Sequence, residues 1–340
     1  MKNILLTITG ACLLLLSCKK EQEVAAIKTE QQLGAPNSTS ASFSRISTYS
    51  EYYGTPIGIV AAPGGVFYVS DTQSPKSISK IEADGTRRIL PGKNLDIPID
   101  LTATSTGVIY FVDRGKNRVY KIDKNDSIVG IDICMLDENG VRKPLADFRP
   151  SFLVAGEGEN LYIVDENSRI LKLAKTGIAE VYAGTTLGYQ DGPKSDAKFG
   201  YITSIARKTD GTIMVGEYLE KTLGTPFYRI REISPSGEVS TFSGGIGGFA
   251  DGARATAKFR TIFGLTFSED ESTLYLADHV NNRIRMIDAS GIVSTIAGIA
   301  GYSDVKTGPA LETDVRNPRD LTIAGNALYF TSGFQIYKLE

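Results

Sequence analysis

Two carboxylates, a set of arginines and a single histidine hold most of the chemistry this chain can offer. Asp100 and Asp320 stand in similar surroundings, "IPIDLTA" and "NPRDLTI". At equivalent or neighbouring places fall Arg114, Arg149, Arg260, Asn317 and Arg319, with Phe152, Tyr218 and His279. Acids, guanidinium groups, an amide and aromatic rings around one opening are the mixture expected of a site for a polar ligand such as a sugar or peptide. The inventory also excludes. One histidine cannot build a zinc centre that needs several. No Walker phosphate loop, G-x-S-x-G elbow or Cys/His zinc spacing occurs, and no catalytic residue is assigned.

These residues must be positioned by something, and the chain supplies a repeat. One strand-like phrase recurs as "FYVSDT", "IYFVDR", "LYIVDE", "IMVGEY", "LYLADH" and "LYFTSG". Its second residues, Tyr68, Tyr110, Tyr162, Met214, Tyr275 and Tyr329, lie roughly 40 to 60 residues apart, the length of a four-stranded propeller blade with its loops. An apolar run precedes each copy, and a segment of alternating polarity such as "RVYKI" or "RIRMI" follows, the period of a strand with one buried face. A fourth element, as in "EVSTFSG" and "IVSTIAG", appears only five times, because the sixth repeat stops at Glu340 after its third strand. That would leave an unpaired sheet edge. The early segment "RISTYS", Arg45 to Ser50, has the missing form, and its Ile46 and Tyr49 should match Val239 and Phe242, and Val293 and Ile296.

On Asn-x-Arg-Ile-x-Lys-Ile and Tyr-Val-x-Asp phrases, best seen in "LYLADHVNNRIRMIDASGIVSTIAG", the stretch from Arg45 to Glu340 resembles the NHL-repeat β-propellers. The resemblance implies an all-β, six-bladed propeller over residues 42–340, closed by an N-terminal strand that completes the last blade. In such a blade the first residues of the innermost strand face the central mouth. That column reads Gly58, Asp100, Phe152, Ser204, Gly264 and Asp320. The repeated Asp71, Asp113, Asp165 and Asp278 are expected to hold turns by accepting backbone N–H groups, with the arginines that open the third strands pairing to them. The family hosts scaffolds, binders and a few lyases, so its fold does not fix a function.

The chain opens with a basic "MKN", a short apolar run and "LLSC", which resembles a bacterial lipoprotein signal over residues 1–17 with lipidation at Cys18. A polar tether over residues 18–41 would follow. Cys12 leaves with the signal, so Cys134 has no disulfide partner. The 37 basic and 39 acidic residues balance to a net charge of -2, which gives no field for nucleic acid. The tail resembles outer-membrane lipoproteins of Bacteroidetes, some of them surface exposed. The expected function is a noncatalytic binding module of the cell envelope, anchored to a membrane at Cys18, that presents the propeller mouth to a glycan, peptide or partner protein without a cofactor. The alternative is a calcium-dependent lactone hydrolase or lyase at the same mouth, with Asp100, Asp320 and Asn317 as oxygen ligands.

Overall fold

The strand Arg45–Glu51 pairs with the last strand of the chain, Gln335–Leu339, and not with its own successor. This is a computed structural model that describes residues 43–340 apart from 52–53, 74, 93, 146, 221–223, 225 and 302–306. The expected signal segment, Cys18 and the tether lie outside the described residues. Six antiparallel sheets follow one another as blades of a propeller, and the innermost strands are Pro56–Ala62, Pro98–Ala103, Pro150–Ala155, Tyr201–Arg207, Ile262–Phe267 and Leu321–Ala324. Blades 1 to 6 are numbered here by these strands. Among the described residues no helix is long and apolar enough to cross a membrane.

The clasp takes the register that the repeats foretell. Ile46 stands opposite Leu339 as Val239 stands opposite Ile233 and Val293 opposite Ile287. Tyr49 falls at a bulge between Thr48 and Ser50, and Phe242 and Ile296 fall at the same bulge in their own strands. A bulge turns an extra side chain out of the ladder. Tyr49 uses it to meet Phe67 of blade 1 and Tyr329 of blade 6, with ring centroids 5.1 and 4.8 Å away. Such edge-on aromatic pairs add roughly 0.5–1.5 kcal/mol each beyond the area they bury.

Each gap between blades has its own core. Ile59, Phe67 and Val69 of blade 1 meet Tyr329 and Ile336 of blade 6, and corresponding clusters fill the remaining gaps. Second strands are therefore buried along all or most of their length, fully so in Leu161–Asp165 and Leu274–Asp278. The long loops before blades 4, 5 and 6 run out to the rim, where Gly192–Pro193, Gly252–Ala253 and Gly308–Pro309 each add a short strand to the fourth strand of the coming blade. They cover edges that would otherwise be open to pairing.

Here the structure corrects one expectation. Of the arginines that open third strands, Arg169 pairs with Asp165 at 2.5 Å and Arg229 approaches Glu217 at 3.7 Å. Arg118 turns outward to Asp132, and Arg283 lies over the Phe249 ring. The deep pairs are made two residues further on. Arg231 donates to Glu217 at 3.1 Å and to Asp191 at 2.5 Å, and Arg285 donates to Asp278 at 2.8 Å and reaches Asp251 at 2.6 Å. Both arginines are fully buried. Arg231 and Arg285 reach the second-strand acids Glu217 and Asp278 from two residues beyond the first arginine of each phrase. Alternation in these strands marks two sides of a filled gap, with a buried guanidinium on the polar one.

The repeated acids hold turns as expected. Asp71 accepts the Thr55 and Gln73 N–H groups, Asp113 those of Asp96, Ile97 and Lys116, and Asp165 that of Asn167.

Candidate functional site

Every innermost strand contributes one buried aliphatic residue, packed in a core between blades, to the border of the channel: Ile59, Leu101, Leu153, Ile205, Leu265 and Leu321 line a cavity of about 530 Å3. The residue before each is the column that the repeat singles out. Gly58 and Gly264 are small because the next blade lies against them. A Cβ on Gly58 would stand 2.4 Å from the Ile99 carbonyl oxygen, and one on Gly264 2.9 Å from the Asp320 Cα. Phe152 lines the cavity as an apolar wall, joined by Phe263.

Asp100 and Asp320 do a job the sequence did not announce. The outer side of an innermost strand is paired within its own blade, so its N–H groups toward the channel need other acceptors. Asp100 accepts the Leu153 N–H at 2.8 Å and Thr102 accepts the Ala155 N–H at 3.0 Å, which staples blade 2 to blade 3. Asp320 accepts the Ile59 N–H at 2.7 Å and Thr322 the Ala61 N–H at 3.2 Å, which staples blade 6 to blade 1. The signal was present: Asp-Leu-Thr occurs at 100–102 and again at 320–322. Both carboxyls line the cavity. Burial pushes Asp320 up to about 7 and holds Asp100 well above the usual carboxylate range, with the Asp320 charge raising it further.

Each carboxyl already receives backbone N–H groups and is driven toward its neutral form. Among the described residues no group of three His, Cys, Asp or Glu side chains is arranged to hold a metal.

The predicted rim residues gather at one end of the channel. The residue after a second strand is tied to the segment before the first strand of its blade: Arg114 donates its N–H to the Ile97 carbonyl, Glu166 to Arg149, and His279 to Thr261. Glu166 then serves two guanidinium groups, Arg114 at 2.5 Å and Arg149 at 4.0 Å. Arg260 is exposed, and its own N–H holds Asp278 at 2.8 Å. Tyr218 lies beside Tyr201, with ring centroids 5.2 Å apart.

The lone histidine is a clasp. His279 Nδ1 is 2.9 Å from the Pro318 carbonyl oxygen, so it carries the proton there, and Nε2 faces the Asn317 amide nitrogen at 3.5 Å. Its ring packs edge-on against Phe263, and burial lowers its pKa. Asn317, held in a left-handed conformation at φ 47°, and Pro318 lead directly to Arg319. His279 thus fixes the loop that delivers Arg319 to the channel. The Arg319 guanidinium lines the cavity, half buried, without a hydrogen-bond or ion-pair partner among the described residues. Burial draws its pKa below the ordinary value.

No protein-family model and no curated protein sequence matches the chain. Solved structures do. A protein of unknown function from Bacteroides thetaiotaomicron superposes with a TM-score of 0.68 at 19% identity, over 87% of this chain and 75% of that one. The likeness is one of fold. An auxiliary nutrient binding protein from the same organism gives 0.63 at 13% identity, over 87% and 76%. The virginiamycin B lyase of Staphylococcus aureus gives 0.55 at 18% identity, over 87% and 98%. Binding proteins and enzymes thus share this scaffold, and the residues at the mouth must decide between them.

Proposed function

We propose that this propeller is a noncatalytic binding module of the bacterial cell envelope, held to a membrane by a lipid on Cys18, that takes an acidic polar ligand at the channel mouth. The observation that carries the reading is Arg319: a half-buried, unpartnered guanidinium that lines the same cavity as the apolar rings of Phe152 and Phe263. A desolvated cation without a partner is unfavourable until an anion meets it, and a carboxylate then forms charge-assisted hydrogen bonds. Arg114, Arg149 and Arg260 extend the positive rim, with Glu166 as the carboxylate between two of them. The nutrient-binding neighbour agrees with a binding role, and an envelope location agrees with the lipoprotein-like start of the chain.

Catalysis has less support at this mouth. Both His279 nitrogens are engaged in holding a loop, which leaves the ring no free nitrogen to act as a general base. The test is calorimetric titration of the full chain in detergent with carboxylated oligosaccharides and an acidic peptide. Binding that weakens about tenfold or more in Arg319→Gln is expected, the size of a charged hydrogen bond. A stoichiometric calcium ion lost in Asp100→Ala or Asp320→Ala, together with lactone turnover, would instead establish the hydrolase reading.

A further inference from the structure

The mouth carries a second feature, on blade 4, that the anion site alone does not explain. Tyr201 begins the innermost strand, stands opposite Tyr218 in the second, and Tyr218 stands opposite Tyr228 in the third. The three rings form a row across the blade, with centroids 5.2 and 6.2 Å apart and neighbouring planes inclined by 31°. Tyr228 packs on the core between blades 4 and 5, which anchors the row. Tyr201, at the other end, is 44% exposed although it belongs to the strand nearest the axis. Its hydroxyl has no partner among the described residues. Tyr201, exposed and backed by the half-buried Tyr218, presents an apolar ring face to solvent at little entropic cost on binding.

We propose that Tyr201 and Tyr218 are a stacking platform for a pyranose ring and that the ligand of this mouth is an acidic oligosaccharide, with a carboxylate at Arg319 and a sugar unit on the tyrosines. The chemistry matches on three counts. The C–H face of a pyranose carries partial positive charge and meets the negative face of an aromatic ring. The arginines at the rim offer planar, bidentate donors to a sugar carboxylate. The Arg114–Glu166–Arg149 group supplies both donors and an acceptor for hydroxyls. Arg114 also lines the channel. An acidic peptide would use Arg319 equally well but has no need of a flat tyrosine pair.

This inference rests on the binding reading above, and one experiment separates their failures. The full chain in detergent is titrated with tetragalacturonate, a hyaluronan tetrasaccharide, sialyllactose, the methyl ester of tetragalacturonate and a tetraglutamate peptide. The chain has 16 Tyr and no Trp, so the part of a ligand-induced change in tyrosine emission that is lost in Tyr201→Ala/Tyr218→Ala reports the platform. At least one acidic saccharide should bind, about tenfold more tightly than a neutral counterpart, with quenching of tyrosine emission. The double variant Tyr201→Ala/Tyr218→Ala should weaken it about tenfold or more at an unchanged unfolding midpoint, and Tyr201→Phe/Tyr218→Phe should keep affinity within about threefold because the ring faces remain. Arg319→Gln should remove the preference for acid over ester. Tetraglutamate binding that depends on Arg319 but not on the tyrosines, with no saccharide bound, would overturn the platform and leave the anion site standing. If no probe binds in an Arg319-dependent way, both readings fall.

Discussion

The Asp320 carboxylate of the last blade accepts the Ile59 N–H of the first at 2.7 Å, across the one place where the ring must close on itself. Its second oxygen accepts the Leu321 N–H at 2.8 Å. Together with the Tyr49 ring between Phe67 and Tyr329, this joins the two ends of the chain at the channel and at the rim. Asp320 is thus both a lock on the seam and a wall of the cavity.

A pH dependence follows, and its sign is fixed by the direction of the shift. Asp320 titrates near 7 in the folded protein, above the roughly 3.9 of an unfolded aspartate, so the folded state holds its proton more tightly. Its contribution to stability is full below about pH 4 and is lost as pH rises through 7. Asp100 moves in the same direction. Carboxylates shifted the other way, such as Glu159, held down at about 2 by Lys175 and Lys121, are ionised in both states between pH 5.5 and 8 and contribute no slope there. His279, lowered by burial, acts in the opposite sense, but Asp278 and Glu217 are raised by burial as Asp320 and Asp100 are, so the thermal unfolding midpoint should be higher at pH 5.5 than at pH 8. Asp320→Asn should narrow that difference, and Asp320→Ala should lower stability at both pH values by about 1–3 kcal/mol, because the Ile59 N–H loses its acceptor.

Arg231 and Glu217 give a harsher case. The guanidinium is fully buried, and besides Glu217 and Asp191 it donates to the carbonyls of Lys198 and Gln190. Arg231→Met leaves the buried Glu217 carboxylate with only Arg229, 3.7 Å away, and should cost up to about 3–5 kcal/mol in urea denaturation. Adding Glu217→Gln should restore part of that loss, since an amide needs no counter-charge. A single variant as stable as the parent would show that the pair adds nothing to the packing of blade 4.

How much of this was legible in the chain divides along a physical line. The period, the strand order and the clasp were readable because "RISTYS" shares its apolar positions with strands whose burial every repeat requires. The loops before blades 4, 5 and 6 could be recognised as a set, but their role as covers for the outer edges depends on pairing between residues nearly 50 positions apart, such as Gly192 with Val239. The rim was readable as a group of residues, since topology alone carries Arg114, Arg149 and His279 to one end. What each does there was not. That Arg231 is fully buried on Glu217 while Arg283 lies over Phe249, that His279 holds Pro318, and that Asp320 reaches the backbone of another blade are facts of distance, set by how adjacent blades tilt and approach. Tyr201 was passed over because it belongs to an innermost strand, where a large ring exposed to solvent has no repeat to announce it.

The clasp itself should be indispensable. Ile46 is fully buried in the core between blades 5 and 6, and Ser44 and Arg45 donate their N–H groups to the Glu340 carbonyl. Removing Arg45 to Ser50 uncovers the edge of Gln335–Leu339 and the apolar residues beneath it. The variant should unfold at a clearly lower temperature, or aggregate, when followed by circular dichroism and light scattering. An unchanged midpoint would mean that three strands suffice for the last blade.

Close approach of the inner strands makes a sharper test of how tightly the ring is drawn. At Gly58 a methyl group would meet the Ile99 carbonyl oxygen at 2.4 Å, a Leu101 methyl at 2.9 Å and the Ser70 hydroxyl at 3.1 Å. Neither backbone nor buried leucine can move without pushing blade 2 off the axis. Gly58→Ala should therefore destabilise the protein by about 1–3 kcal/mol, the range for overpacked interiors. Gly245 provides the control: a Cβ there meets nothing within 4 Å, and its φ lies outside the left-handed range. Gly245→Ala should be neutral or stabilise by up to about 1 kcal/mol through the unfolded chain. Should the two variants melt together, the channel would have room to widen by the width of a methyl group, and the apolar ring at Ile59 and Leu101 would not be the fixed wall that a selective binding site requires.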